Sequence, residues 1–338
     1  MTAPEPGTIL QMSWWVVETL SPPAMTVIWS RQQQRDRTSV SRVARTTGID
    51  GAAIVQHTVT TASCYDVTIP SRRFGRVRVI TEPTLGPDRT VSAVSMWIGD
   101  PATEPPPPPR IGALVWDRDT FVAHQTPHLH MLRADTFDDF HEVCELAELL
   151  RNTYQFCSAP ELLELCFQKR PHGTYLSTLD VHHDTSDLLM KWQIAAQVVD
   201  GGQRIRAIVH DISADNPVNL GTQGLRALPV NQAADRGAAL LAFATHQPAS
   251  PRIAYWLTPV PSLLERPSPQ IHTDDVPRVC AAQQVLAREA SSPQIVDVRL
   301  RSHGRWLDSR LTCSRYPSAG VDPTILMCEI AIVDGDYK

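Results

Sequence analysis

Residues Pro105 to Pro109 are five consecutive prolines. Proline lacks an amide donor and fixes φ, so neither a helix nor a central strand can run through them. The run favours the extended polyproline conformation and behaves as a stiff spacer of about 3.1 Å per residue. Folding must therefore start afresh near Arg110. A foldable segment of about 100 residues precedes the run, and more than twice that length follows it. The run could also serve as a ligand for a polyproline-binding domain. Its position between two foldable segments favours a strut.

A second break falls at Asn216-Pro217 and the Gly221 to Gly224 region, after a strongly apolar stretch. Ala238, Leu240, Leu241 and Ala244 then give a helix-compatible segment over Asn231 to Thr245, ended by Pro248 and Pro251. This segment is expected to be a helix linking a second unit to a third. The cuts give units at 1–104, 110–216 and 225–338, each running from short strands through helices to three strands. The expected fold class is α+β: three consecutive modules, each an antiparallel sheet of about five strands with helices on one face.

In the first unit, Trp14 to Glu18, Met25 to Trp29, Tyr65 to Ile69, Arg76 to Ile80 and Val91 to Ile98 read as strands, and Val40 to Ala44 and Ala52 to Gln56 as helical. In the second, Ile111 to Trp116 and Phe121 to His124 flank the turn at Asp117-Arg118-Asp119. Phe137, Phe140, Cys144, Ala147 and Leu150 fall at helical spacing behind a cap signal at Thr136 and Asp139. A second helix starts at Ser158. Strands follow near Tyr175 to Val181, Leu188 to Val199 and Arg204 to Ile212, the last two joined by Asp200-Gly201-Gly202. In the third unit, Ile253 to Leu257 is a strand. Thr273 or Asp274 caps a helix carrying Val276, Val279, Cys280 and Leu286. Val296 to Leu300, Trp306 to Ser314 and Thr324 to Val333 close the unit.

Hydrophobic residues are 42% of the chain and charged residues 20%, enough for each unit to bury a core. The formal net charge of -5 gives no basic surface for nucleic acid, and no polybasic anchor is present. Met1 to Leu10 has neither the basic start nor the apolar stretch of a signal peptide, and no apolar run is long enough for a membrane helix. A cytoplasmic protein without membrane insertion is expected. Of the seven cysteines, none forms a Cys-x-x-Cys pair. In a reducing compartment they read as small buried hydrophobes, with reactive sensing open at one that the sequence does not single out.

The third unit resembles a PAS domain. The resemblance rests on Ile271-His-Thr-Asp-Asp-Val-Pro-Arg278, Val296-Asp-Val-Arg-Leu-Arg301, the turn at His303-Gly304, Trp306-Leu-Asp-Ser-Arg310 and Cys328-Glu-Ile-Ala-Ile-Val-Asp334. It covers about Arg252 to Asp334. The second unit resembles PAS or GAF domains through Gln193 to Val199 and Ile205 to Ile212. As a whole the chain is similar to actinobacterial sensor-only proteins with one GAF-like and two PAS-like modules. That resemblance implies a non-enzymatic sensor or scaffold that integrates signals by small-molecule or protein binding and passes them to a separate effector protein.

Few residues suggest chemistry. His128 and His130 share one face if they lie on a strand, and imidazole is a common metal ligand. His182 and His183, beside Asp184, point to opposite faces if extended, so they do not readily share an ion. A metal- or haem-binding protein or divergent enzyme built on this histidine-rich second unit is the alternative. No Gly-x-Ser-x-Gly elbow, phosphate loop or kinase signature occurs, and Gly221-Thr-Gln-Gly224 is only a fragment of a phosphate loop. No catalytic residue, metal ligand or cofactor is therefore assigned. Trp14, Trp15, Trp29, Trp97 and Trp116 read as core, with a docking patch as the alternative. Arg72, Arg73, Arg76 and Arg78 read as a solvated strand face.

Overall fold

The computed structural model describes residues 13–150, 152–155, 158–167, 171–186, 188–218, 235–243, 251–258, 260–288, 292–316 and 325–333. Among these, three sheets form, of six, seven and five strands. Every strand pairing is antiparallel.

The first sheet contains β1 (Ser13–Ser21), β2 (Ala24–Ser30), β3 (Gln33–Ser39), β4 (Tyr65–Ser71), β5 (Gly75–Leu85) and β6 (Val91–Gly99), in the order β3-β2-β1-β6-β5-β4. Helices α1 (Arg42–Thr47) and α2 (Gly51–Thr61) connect β3 to β4. Asp50 caps α2 by accepting from the Ala53 amide. All nine residues of β6 are buried, and so are the seven interior residues of β1. Such runs do not alternate because both faces of the sheet are covered. One face packs on α1 and α2, and the other lies against the second sheet. Strand β3 has the polar sequence QQRDRTS, which carries no strand signal. It forms at the sheet edge by pairing with β2.

The second sheet contains β7 (Ile111–Asp117), β8 (Val122–Gln125), β9 (Val143–Glu145), β10 (Thr153–Gln155), β11 (Thr174–His182), β12 (Leu189–Val199) and β13 (Arg204–Asp211), in the order β10-β11-β12-β13-β7-β8-β9. Its helices are α3 (Pro127–Ala134), the single turn α4 (Leu146–Leu149) and α5 (Ala159–Phe167). The helix expected over Phe137 to Leu150 is absent apart from α4. Thr136 does not cap a helix: its hydroxyl bonds the Asp138 carboxylate and accepts from the Asp138 amide. Such local bonds compete with helix formation. Phe137 is left 60% exposed, while Cys144 turns inward on β9. The helix starts earlier instead, at α3, where Thr126 accepts from the Leu129 amide and Pro127 opens the first turn.

The third sheet contains β14 (Arg236–Phe243), β15 (Pro251–Trp256), β16 (Gln294–Ser302), β17 (Arg305–Arg315) and β18 (Ile325–Ile332), in the order β15-β14-β18-β17-β16, with α6 (Val276–Arg288) against one face. The helix expected over Asn231 to Thr245 is overturned by β14, which covers its described part, residues 235–243. The other residues of that segment, and Pro248, lie outside the described residues. Strand β14 pairs on both sides, with β15 and β18, and Ala239 to Phe243 are all buried. A short apolar run of this kind suits a fully buried strand as well as a helix, and tertiary pairing decides.

The three sheets share one connectivity. In each, the first strand lies between the second and the last, giving β2-β1-β6-β5-β4, β8-β7-β13-β12-β11 and β15-β14-β18-β17-β16. The sheets are not spaced apart. Val16, Leu20, Ile28, Trp29 and Ala93 of the first sheet form one core with Ile111, Ala113, Ala195 and Ile208 of the second. The proline run does not hold the first sheet at a distance; the Trp14 indole donates to the Pro106 carbonyl at 2.9 Å. Leu240, Ala242, Ala254 and Ile325 of the third sheet join the core of the second from its other side.

Candidate functional site

Strand β12 turns Trp192, Ile194, Ala196 and Val198 to one face, at every second residue. Ala196 lies directly opposite Ala207 of β13, and Ala207 lies opposite Leu114 of β7. Two alanines side by side leave a dip in the middle of the sheet. Trp116 and Trp192 stand among the bulkier residues around it. Leu129 of α3, Leu146 and Leu149 of α4 and Leu162 and Cys166 of α5 close the space above. The result is an apolar cavity of about 60 Å³.

Two donors stand out in this lining. Trp116 and Trp192 are 3% and 4% exposed, and neither indole N–H has a hydrogen-bond partner among the described residues. A buried polar group without a partner costs about 1–3 kcal/mol. The thiols nearby are inert. Burial pushes Cys166 up to about 12 and does the same to Cys144, so neither is a thiolate near neutral pH. The arrangement can hold an apolar molecule; both indole nitrogens are themselves covered, so a ligand would meet them only where the lining shifts. It presents no ionised group for nucleophilic or acid–base work.

The histidines of the second unit do not converge. His128 and His130 lie on α3, not on a strand, and residues two apart on a helix do not face each other. His128 is exposed. His130 is buried, with Nε2 3.1 Å from the Asp138 carbonyl oxygen and its ring against Phe140. His182 is exposed and His183 buried. His183 Nε2 is 3.1 Å from Asp135 Oδ2, an ion-pair distance without hydrogen-bond alignment. Asp184 pairs with Arg133 at 2.9 Å and accepts from Asn152. Among the described residues, no three His, Cys, Asp or Glu side chains gather as a metal site would require.

Trp14, Trp15, Trp29, Trp97 and Trp116 are all buried and form no exposed patch; Trp29 lies in the core shared by the first two sheets. In the basic strip, Arg78 pairs with Asp66 at 2.6 Å. A second hollow, of about 210 Å³, lies beside Glu161, Glu164, His172 and Tyr175. Its buried cation, Arg118, donates to the carbonyls of Leu165, Cys166 and Gly202, so it is occupied in tying loops together.

The cavity itself was invisible in the sequence. Its signal is the coincidence of Ala196 and Ala207 in register, and register is not readable before the strands are paired. No helix among the described residues is long and apolar enough to cross a membrane.

The first sheet matches a known family. Residues 13–107, which end within the proline run, match the family described as "Rv3651-like, N-terminal". No curated protein matches the chain. Among solved structures, an uncharacterised protein from Mycobacterium tuberculosis is similar over 94% of this chain and 95% of its own length, with a TM-score of 0.69 and 20% identity. At that identity the likeness shows a shared fold, and its extent takes in all three sheets. A structure described as an RNA-binding Light-Oxygen-Voltage receptor overlaps 66% of this chain and 95% of its own, at 9% identity and a TM-score of 0.28. Such a score carries no argument about fold or about RNA.

Proposed function

We propose that the chain is a non-enzymatic sensor or scaffold of three PAS/GAF-like modules, which takes up a small apolar ligand in the second module and passes the change to a separate effector protein. The observation that carries this reading is the apolar cavity with two unpartnered indole donors. Buried polar groups are mostly bonded, so the two indoles are open to an acceptor; the buried Trp97 indole of the first unit also lacks a partner but lines no such cavity, so it is the cavity beside the indoles that carries the reading. A route out of the cavity supports the same reading. Leu146 and Trp116 line it and also line a narrow gap against Ala242, Arg252, Ile253 and Ala254 of the third sheet. A ligand that displaced Leu146 would press on that junction. It could shift the arrangement only by its differential affinity for two states, about 1–3 kcal/mol of coupling.

The volume limits the first probes. It is well below the cavity of about 150 Å³ that accepts benzene in an engineered protein. Butanone, close to benzene in bulk, supplies one acceptor and enters only if the roof yields; xenon is smaller and supplies apolar contact alone. The test follows the indole N–H resonances of the intact chain by nuclear magnetic resonance. Butanone is expected to move the Trp116 and Trp192 signals downfield as they gain an acceptor, and xenon is expected to perturb them without that shift. If neither probe touches either signal, the ligand reading fails and a scaffold with filled modules remains.

A further inference from the structure

The third sheet holds a pair of thiols that the ligand reading does not use. Cys313 of β17 lies directly opposite Cys328 of β18. Both are buried, at 0% and 1% exposure, on the face turned toward α6. Their sulfur atoms are 2.9 Å apart, and both are unoxidised. Directly opposed residues of an antiparallel pair have Cα atoms about 4.5–5.5 Å apart, inside the range of about 4.4–6.8 Å that a disulfide spans. The ladder between β17 and β18 already holds both backbones, so closing the bond orders nothing new. Of the other described cysteines, Cys64 is exposed, Cys144 and Cys166 are buried in the second unit, and Cys280 is half-buried on α6 against the same core as the pair.

We propose that Cys313 and Cys328 are a redox-active pair that closes a cross-strand disulfide between β17 and β18 when the chain meets a small-molecule disulfide such as oxidised glutathione. One cysteine sulfur, as thiolate, attacks the glutathione disulfide and displaces a glutathione thiolate. The second cysteine sulfur, as thiolate, then attacks the mixed disulfide and displaces the other. Two cysteine S–H bonds and the glutathione S–S bond break, the cross-strand S–S bond and two glutathione S–H bonds form, and the two electrons and two protons leave in two molecules of reduced glutathione.

Burial sets the rate. The contact with Cys313 and removal from water hold the Cys328 thiol well above its usual range, so little thiolate exists while the sheet is closed. Exchange therefore waits for the strands to part locally. The same shielding protects the disulfide from reductant once it has formed. The pair is a slow, lasting record of oxidation rather than a fast sensor.

The test treats the reduced full-length chain with oxidised glutathione, blocks remaining thiols and maps tryptic peptides by mass. Trypsin separates Leu311–Arg315 from Tyr316–Lys338, so the bond joins two distinct peptides. The expected result is that linked pair, lighter than the two free peptides by two hydrogens and released by reductant. It should appear more slowly than the glutathione adduct on exposed Cys64 and faster when mild urea raises local opening. The proposal is overturned if Cys313 and Cys328 stay reduced throughout, stop as separate glutathione adducts, or link to Cys280 instead. The wild-type chain carries the primary readout, so the result does not depend on a variant folding. Cys328→Ala, where it folds, must lose the linked pair.

Discussion

The two junctions of the second sheet are built from opposite materials. Toward the first sheet, the contact is a close-packed sandwich threaded with buried polar groups. Arg206, 8% exposed, donates to the carbonyls of Leu20 and Val91 and to the hydroxyls of Thr90 and Ser92. Arg37 pairs with buried Glu18 and donates across the junction to the carbonyls of Tyr175 and Ala196. Gln193 donates to the Ile28 carbonyl. Toward the third sheet, the contact is apolar, aliphatic and aromatic, and among the described residues its polar anchor is Glu145, which Arg252 and Ser268 hold at the rim. Buried hydrogen bonds fix a register, because moving any partner strands the others. Apolar contacts carry no such register. The first junction is therefore the more firmly keyed, and under the proposed ligand reading the second is where displacement would be transmitted. Arg37 reaches the back of Ala196, so the first junction also pins the floor of the cavity, leaving its roof as the part free to respond.

The largest expected effect is at the junction with the first sheet. Arg206→Met removes the arginine donor from the buried Leu20 carbonyl and Ser92 hydroxyl and should lower stability by about 2–5 kcal/mol, at about 1–3 kcal/mol for each group left unpaired. Urea denaturation measures this; a loss below about 1 kcal/mol would show that the junction is not locked.

Next is acid. His210 is 3% exposed, with its ring edge-on to Trp29 and Nδ1 3.4 Å from Gln193 Oε1. Burial pushes it down to about 3. The unfolded chain takes a proton on this residue below about 6.5 and the folded chain does not. Its contribution is thus complete above pH 6.5 and is lost as pH falls through the window from 6.5 to 3, by about 2 kcal/mol at pH 5. His210→Gln should flatten this part of the pH profile, and an unchanged slope would exclude His210 as its source.

A smaller effect is expected at the cavity. Ala196→Val fills part of the dip and should change stability by no more than about 1 kcal/mol in either direction. It should nevertheless abolish the butanone shift at the two indoles. A retained shift would place the binding elsewhere.

The smallest is at the junction with the third sheet. Arg252 and Glu145 are 36% and 32% exposed at the side chain, so Arg252→Ala should cost about 0.5–1 kcal/mol. Hydrogen exchange on β15 should rise while that on β1 stays unchanged. Equal rises in both would remove the distinction between the junctions.

Much of the strand inventory was legible because its signals are local. The hairpin turn at Asp200 to Gly202 carries Gly201 at φ +65°, and the alternation along Val296 to Leu300 is met by β16, where alternate residues are buried. What misled were segments whose neighbours overrule them. The spacing from Phe137 to Leu150 suggests a helix, but Thr136 and Asp138 satisfy each other first. The apolar run in β14 suits a helix until strands close on both of its edges. Strand β3 has no apolar signal, and its pairing with β2 makes it a strand. No histidine count could reveal that His130 sits against Asp138 and Phe140 while His183 faces Asp135, and that neither lines the cavity.

The sequence by itself determined where the chain must break, at Pro105 to Pro109, and which segments carry period-two burial, because proline geometry and side-chain alternation act within a few residues. Only the tertiary structure decided that the sheets share cores instead of hanging apart on a strut. It alone set Ala196 beside Ala207 and Cys313 beside Cys328. Those pairs depend on register and on which face meets which neighbour, and both are fixed by contacts between residues far apart in the chain.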